Sequence, residues 1–212
     1  MTIHLHLLNA RGKLTPVRER VESAFAQGVT TISALLPIAD IDVVVQATAF
    51  VIPETGIAGY TPAADTVYIT IDPANPHLWK DFDTEFLATL GHELHHCLRI
   101  DGPGYGRTLG KVLVSEGLAC HFETELRGGT PPFYACALDN QALEAMRARA
   151  NAELTSTSYN RRTWLFGSAE QGMPRHTGYS LGFSIVAQYI GGCGTPASRL
   201  WDVPAAVFYG TA

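Results

Sequence analysis

The run Gly91-His92-Glu93-Leu94-His95-His96-Cys97 concentrates the residue types with the most chemistry in the chain. On an α-helix, side chains four apart stand one turn above each other, so His92 and His96 can offer two imidazoles to one metal ion. Glu93 is displaced from His92 by about 100° around the axis, a position from which a carboxylate reaches a water on the metal without ligating the metal itself. A hydrolytic zinc site needs this division of labour. Three protein ligands leave the fourth position to a water whose pKa falls to about 7, and a nearby carboxylate accepts its proton. His95 is not one turn from either motif histidine and reads as a residue behind the ligands or facing solvent. Cys97 directly follows His96 and points away from the ion.

These residues need a helix, and the flanking sequence supplies one. Asp83 or Thr84 can cap its start and Glu85 favours the first turn. Phe86, Leu87, Leu90, Leu94 and Leu98 recur at helical steps as far as the stop at Asp101-Gly102-Pro103-Gly104. A second helix is expected from Thr108 to Leu126, packing through Leu109, Val112, Leu113, Leu118, Ala119 and Phe122 and carrying Ser115-Glu116-Gly117-Leu118-Ala119. Glu116 lies about twenty residues beyond His96, enough for the first helix to end and a second to bring a carboxylate back to the ion. His121 is its rival as third ligand. The two are about 140° apart around the axis, so they do not easily face one ion together. His121, Glu123 and Glu125 otherwise read as solvated helix residues.

The pairing of His-Glu-Leu-His-His with a downstream Ser-Glu-Gly-Leu-Ala helix resembles the gluzincin, or thermolysin-like, zinc metallopeptidases. More closely, it resembles the small bacterial family of predicted Zn-dependent proteases that shares this pair of motifs. The resemblance implies an α+β zincin-like fold, one Zn2+ per chain held by His92, His96 and Glu116, and Glu93 as general base and acid. It is sharp at the two motifs and covers roughly residues 40 to 190 in order of elements. One departure stands out. Thermolysin-type members often carry an aspartate one turn after the ligand glutamate, orienting a zinc histidine, and this chain has Cys120 there, so that support must come from elsewhere.

The chain has 212 residues, 46% hydrophobic and 17% charged, which fits one globular domain able to bury a core. Within it, residues 1–101 read as a subdomain with a sheet and the motif helix, and 102–212 as a helical subdomain. A net charge of -5 argues against nucleic acid or an anionic membrane surface as partner. No signal sequence or bilayer-length apolar stretch is evident, so a cytoplasmic protein is expected. Cys97, Cys120, Cys136 and Cys193 lack CxxC spacing and read as reduced thiols, mostly buried.

The other elements follow from periodicity. Ile3 to Leu7 alternates as a strand with His4 and His6 on its wet face. Thr15-Pro16 starts a helix striped by Val17, Val21, Phe25, Val29, Ile32 and Leu36, which Pro37 ends. Ile41 to Ile52 reads as a central strand. Gly56 to Tyr60 and Val67 to Asp72 read as two more, joined by a turn at Pro62 to Asp65. One of these, at a sheet edge, could hold an extended peptide through its unpaired N–H and C=O groups. Further on, Gln141 to Glu153 and Tyr179 to Ile190 read as helices, with Trp164 and Phe166 between them in the core.

The loop Gly172 to Gly178 enters the last helix and resembles the stretch that returns to the cleft in gluzincin-like families. Tyr179, then His176, are the candidates to donate to the oxyanion of peptide hydrolysis, against plain roles in core and loop. Arg175 is open between a substrate carboxylate and solvent. Glycines 178 and 182 permit close helix packing. The expected activity is zinc-dependent hydrolysis of a peptide or protein substrate. Hydrolysis of another amide and a non-catalytic zinc-containing binding module are the alternatives.

Overall fold

The structure, a computed structural model, describes residues 2–210. It is α+β, with one four-stranded mixed sheet and six α-helices among the described residues. The chain divides into two compact units, one running to Leu98 and one beginning at Arg99.

In the first unit, β1 (Ile3–Leu8), α1 (Arg18–Ser33) and β2 (Ile41–Ala47) form a βαβ crossover, since β1 and β2 are parallel. β3 (Ile57–Ala63) and β4 (Thr66–Ile71) form a hairpin, and α2 (Phe82–Asp101) follows, its last turn lying past the unit boundary. The sheet order is β1-β2-β4-β3, with β2 and β4 parallel and β3 antiparallel to β4. β3 is therefore an edge strand, which explains how it accepts Pro62: the missing N–H falls where the register shifts between Tyr60 and Ala63. Ile41, Val43 and Val45 of β2 and Val67, Ile69 and Ile71 of β4 are buried at every second position, as a sheet with one face on the core requires. His4 and His6 are exposed on β1, as expected, and His6 Nε2 is 2.7 Å from Asp42 Oδ1.

Several boundaries differ from expectation: α1 ends at Ser33, not Leu36, and the last helix runs from Thr177 to Cys193, not from Tyr179 to Ile190. β2 stops at Ala47, not Ile52, because its last pairings are Gln46 with Leu8 and Ala47 with Ile71; beyond them Phe50 stands 88% exposed. The β3–β4 turn is shorter than Pro62 to Asp65, because β3 stays paired through Ala63. α2 starts at Phe82, before Asp83 and Thr84, since Glu85 N already bonds Asp81 O and the Phe82 ring stacks on Trp79. α1 follows a short 3-10 turn at Thr15–Val17 and packs closely on α2, where a Cβ at Gly28 would meet Leu90 Cδ2 at 3.1 Å.

The second unit comprises α3 (Leu109–Leu126), α4 (Asn140–Asn151), α5 (Arg161–Phe166) and α6 (Thr177–Cys193). Side chains of Thr108, Asp139 and Asn160 cap the starts of α3, α4 and α5. α3 and α6 meet backbone to backbone: a Cβ on Gly117 would overlap the Gly182 carbonyl, and one on Gly182 the Leu113 carbonyl. Gly178 serves α5, where a Cβ would lie 2.7 Å from Leu165 Cδ2. Trp164 is buried as expected, but Phe166 is 57% exposed, since α5 turns only Thr163, Trp164 and Leu165 inward before Gly167 ends it.

Candidate active site

From Leu90 to Arg99 every residue of α2 is buried, so the motif does not lie on the outer stripe of an amphipathic helix. The His92 and His96 rings face each other edge-on, with centroids 4.6 Å apart and planes at 86°. Glu93 is 6% exposed. Its Oε2 accepts a hydrogen bond from Thr61 Oγ1 at 2.7 Å, and the same hydroxyl lies 3.0 Å from the Glu93 main-chain carbonyl. Thr61 and Gly59 are two apart on β3 and share one face; a Cβ on Gly59 would overlap the Glu93 carboxylate. The edge strand therefore runs directly over the candidate base. Sequence reading did not pick out either residue, although a glycine inside a strand is a known mark of close approach.

His95 is fully buried, which corrects the solvent-facing alternative: no side of α2 faces water at this level. The Cys97 thiol is directed at Ala63 O, 3.9 Å away, and is pushed up to about 12 by burial and then by the Glu93 charge.

In the second unit, Glu116 is 3% exposed on α3. The Tyr105 hydroxyl donates to its Oε1, and Arg161 Nη2 is 3.8 Å from the same oxygen and 2.7 Å from the Tyr105 hydroxyl. The guanidinium also stands over the Tyr105 ring, 4.6 Å from its centroid. Burial, followed by the Glu116 charge, pushes the Tyr105 hydroxyl well above the ordinary tyrosine value, while Arg161 opposes the shift. Burial works against the charge on Arg161, yet Tyr105 and Glu116 hold the guanidinium above its ordinary value. Ser115 Oγ fastens the Tyr105 carbonyl at 3.1 Å.

His121 is not on the Glu116 side of α3. Its ring stacks on Phe183 at 3.9 Å, its Nε2 is 2.9 Å from Phe183 O, and burial lowers its pKa. Glu123, expected in solvent, is instead 1% exposed; the Tyr134 hydroxyl donates to its Oε1, and Arg127 Nε is 3.6 Å from Oε2. Glu116, Cys120 and Glu123 recur at helical steps along one buried face, and burial, then the charges of Glu123 and Glu116, raise the Cys120 thiol far above its ordinary value.

His176 has φ 66, the one left-handed non-glycine backbone among the described residues, and it is 7% exposed. Strain of this kind costs about 1–3 kcal/mol and gathers at functional sites. Its ring lies 5.6 Å from Phe133, 6.0 Å from Tyr134 and 6.0 Å from Tyr179. Tyr179 is half-buried, 5.0 Å from Tyr134 ring to ring, and close enough to Tyr105 and Arg161 to act on both electrostatically. The second unit thus brings Glu116, Tyr105, Arg161, Tyr179 and His176 into one neighbourhood. Arg175 is exposed.

A buried His-Glu-x-x-His helix with a further buried glutamate is the donor chemistry of a zinc hydrolase. The family model described as predicted Zn-dependent protease (DUF2268) matches residues 19–209, and the chain belongs to that family. No curated protein and no solved structure matches the chain. The family and the buried histidine and glutamate donors together support zinc as the cofactor. Among the described residues no helix is long and apolar enough to cross a membrane.

Proposed function

We propose that the chain is a zinc metallopeptidase of zincin-like, gluzincin type, with one zinc ion held by His92, His96 and Glu116. The observation that carries this reading is the buried Glu93 carboxylate, one residue from His92 and held by Thr61 of an edge strand. A zinc ion held by His92, His96 and Glu116 would supply Lewis-acid polarisation and lower the pKa of a water to about 7. Glu93 would be the base that takes up the water's proton and the acid that gives it to the leaving amine. β3 lies at the sheet edge, and past its Ile52–Ile57 bridge an extended peptide can pair along it, which favours a peptide over a small amide as substrate. The Tyr179 hydroxyl, or failing it the His176 imidazole, donates to the oxyanion.

Glu93→Gln keeps the shape of the side chain but not its basicity. It is expected to retain zinc and lose about 10²–10⁴-fold of peptide hydrolysis. A fully active Glu93→Gln variant refutes the assignment. Zinc content by elemental analysis of Glu116→Ala against wild type checks the third ligand; unchanged metal in the variant would move that ligand elsewhere. A panel of peptides set against small amides separates the peptidase from a hydrolase of another amide. Stoichiometric zinc with its fourth position closed by a protein ligand, and no hydrolysis of either, would support the binding module.

A further inference from the structure

The Ser-Glu-Gly-Leu-Ala motif and the loop before it carry more than a ligand. Tyr105 sits between Gly104 at φ 85 and Gly106 at φ 99, left-handed conformations that a side chain resists. A Cβ on Gly106 would in addition overlap the Lys111 side chain. Ser115 ties the Tyr105 carbonyl to α3 from the residue beside Glu116. Gly-Tyr-Gly is therefore a turn shaped to deliver one phenol to one carboxylate. The hydroxyl has a single proton. Its oxygen accepts an N–H from Arg161 at 2.7 Å, so that proton is directed at Glu116 Oε1, and the Arg161 charge at 3.8 Å lies on the same oxygen.

We infer that Tyr105 and Arg161 are positioning residues for Glu116, claiming Oε1 so that the carboxylate meets its metal through Oε2 alone. The inference rests on the reading of Glu116 as a zinc ligand. A carboxylate with both oxygens available chelates and adds a coordination position. One held through Oε1 gives a three-ligand site that keeps room for water and carbonyl. This places in Tyr105 and Arg161 the support that the chain does not carry one turn after Glu116, where Cys120 stands.

The test compares wild type, Tyr105→Phe, Arg161→Met and the double variant. Zinc affinity is read by competition with a chromophoric chelator, and coordination from the visible spectrum after loading with Co2+. Tyr105→Phe is expected to bind zinc about 10–100-fold more weakly. Its cobalt bands should lose intensity, because five-coordinate cobalt absorbs less than four-coordinate. Arg161→Met should give a smaller loss that nearly vanishes in the Tyr105→Phe background, since both act through one proton. Thermal melting of the metal-free proteins controls for folding, and Arg161→Met, at a half-exposed side chain, carries the test if Tyr105→Phe folds poorly. Wild-type affinity and cobalt spectra in both variants overturn the inference and leave zinc binding standing. A wild type that takes up neither zinc nor cobalt overturns it together with the reading of Glu116.

Discussion

Thr61→Val tests the least obvious part of the site. Valine keeps the size and branching of threonine and replaces the hydroxyl by a methyl, so β3 keeps its pairing and Glu93 loses one donor at 2.7 Å. A hydrogen bond to a charged group contributes about 1.5–3 kcal/mol. With each 1.36 kcal/mol worth about tenfold in rate, the loss in kcat/KM is expected between about 10-fold and 150-fold. The lower end applies if Glu93 swings to find another donor, and the upper end if it stays buried without one. Because the proposed ligands His92, His96 and Glu116 are untouched, zinc content should stay near wild type, while the lost hydrogen bond lowers the melting temperature by about 3–12 °C. The assay is kcat/KM on the best peptide from a library screen, with metal analysis on the same sample. Hydrolysis within about twofold of wild type at equal zinc would refute the claim that the edge strand positions the base, and the loss in Glu93→Gln would then be unrelated to β3.

Burial holds the His121 imidazole below its ordinary value near 6.5, so the unfolded chain binds its proton more readily than the folded one. The stability this provides is complete above about 6.5 and is lost as pH falls through the lower folded value. His121→Gln, which can still donate to Phe183 O, should flatten the decline in urea midpoint between pH 7.5 and pH 5; parallel curves for variant and wild type would show the ring to be unburied in solution. Gly117→Ala drives a methyl into the Gly182 carbonyl, a backbone wall that cannot rotate away. A cost of about 3 kcal/mol lowers the melting temperature by about 6–12 °C, and a shift under one degree would mean α3 and α6 are not in backbone contact.

Much of this molecule is readable locally. The His-Glu-x-x-His spacing puts His92 and His96 on one face wherever that helix lies, because residues four apart share a face on any α-helix. The extents of α3 and α4, and the alternation in β1 and β4, follow from apolar periodicity and capping residues within a few positions. The same local rules failed where burial is complete. A helix sunk on all sides has no outer stripe, so His95 and Glu123 could not be told from solvated residues by pattern. Phe166 stands in solvent because a six-residue helix turns few side chains inward, and β2 stops where its neighbours stop, not where its β-branched residues do.

What only the tertiary structure decided is which polar partner each buried group receives. Thr61 reaches Glu93 because the sheet order puts β3 at the edge over α2, and Tyr105 and Arg161 meet at Glu116 from a glycine-flanked loop and a short helix far apart in sequence. Periodicity reports the face a residue occupies. The partner across that face depends on long-range packing, where a buried carboxylate must be hydrogen-bonded by whatever element the fold brings to it.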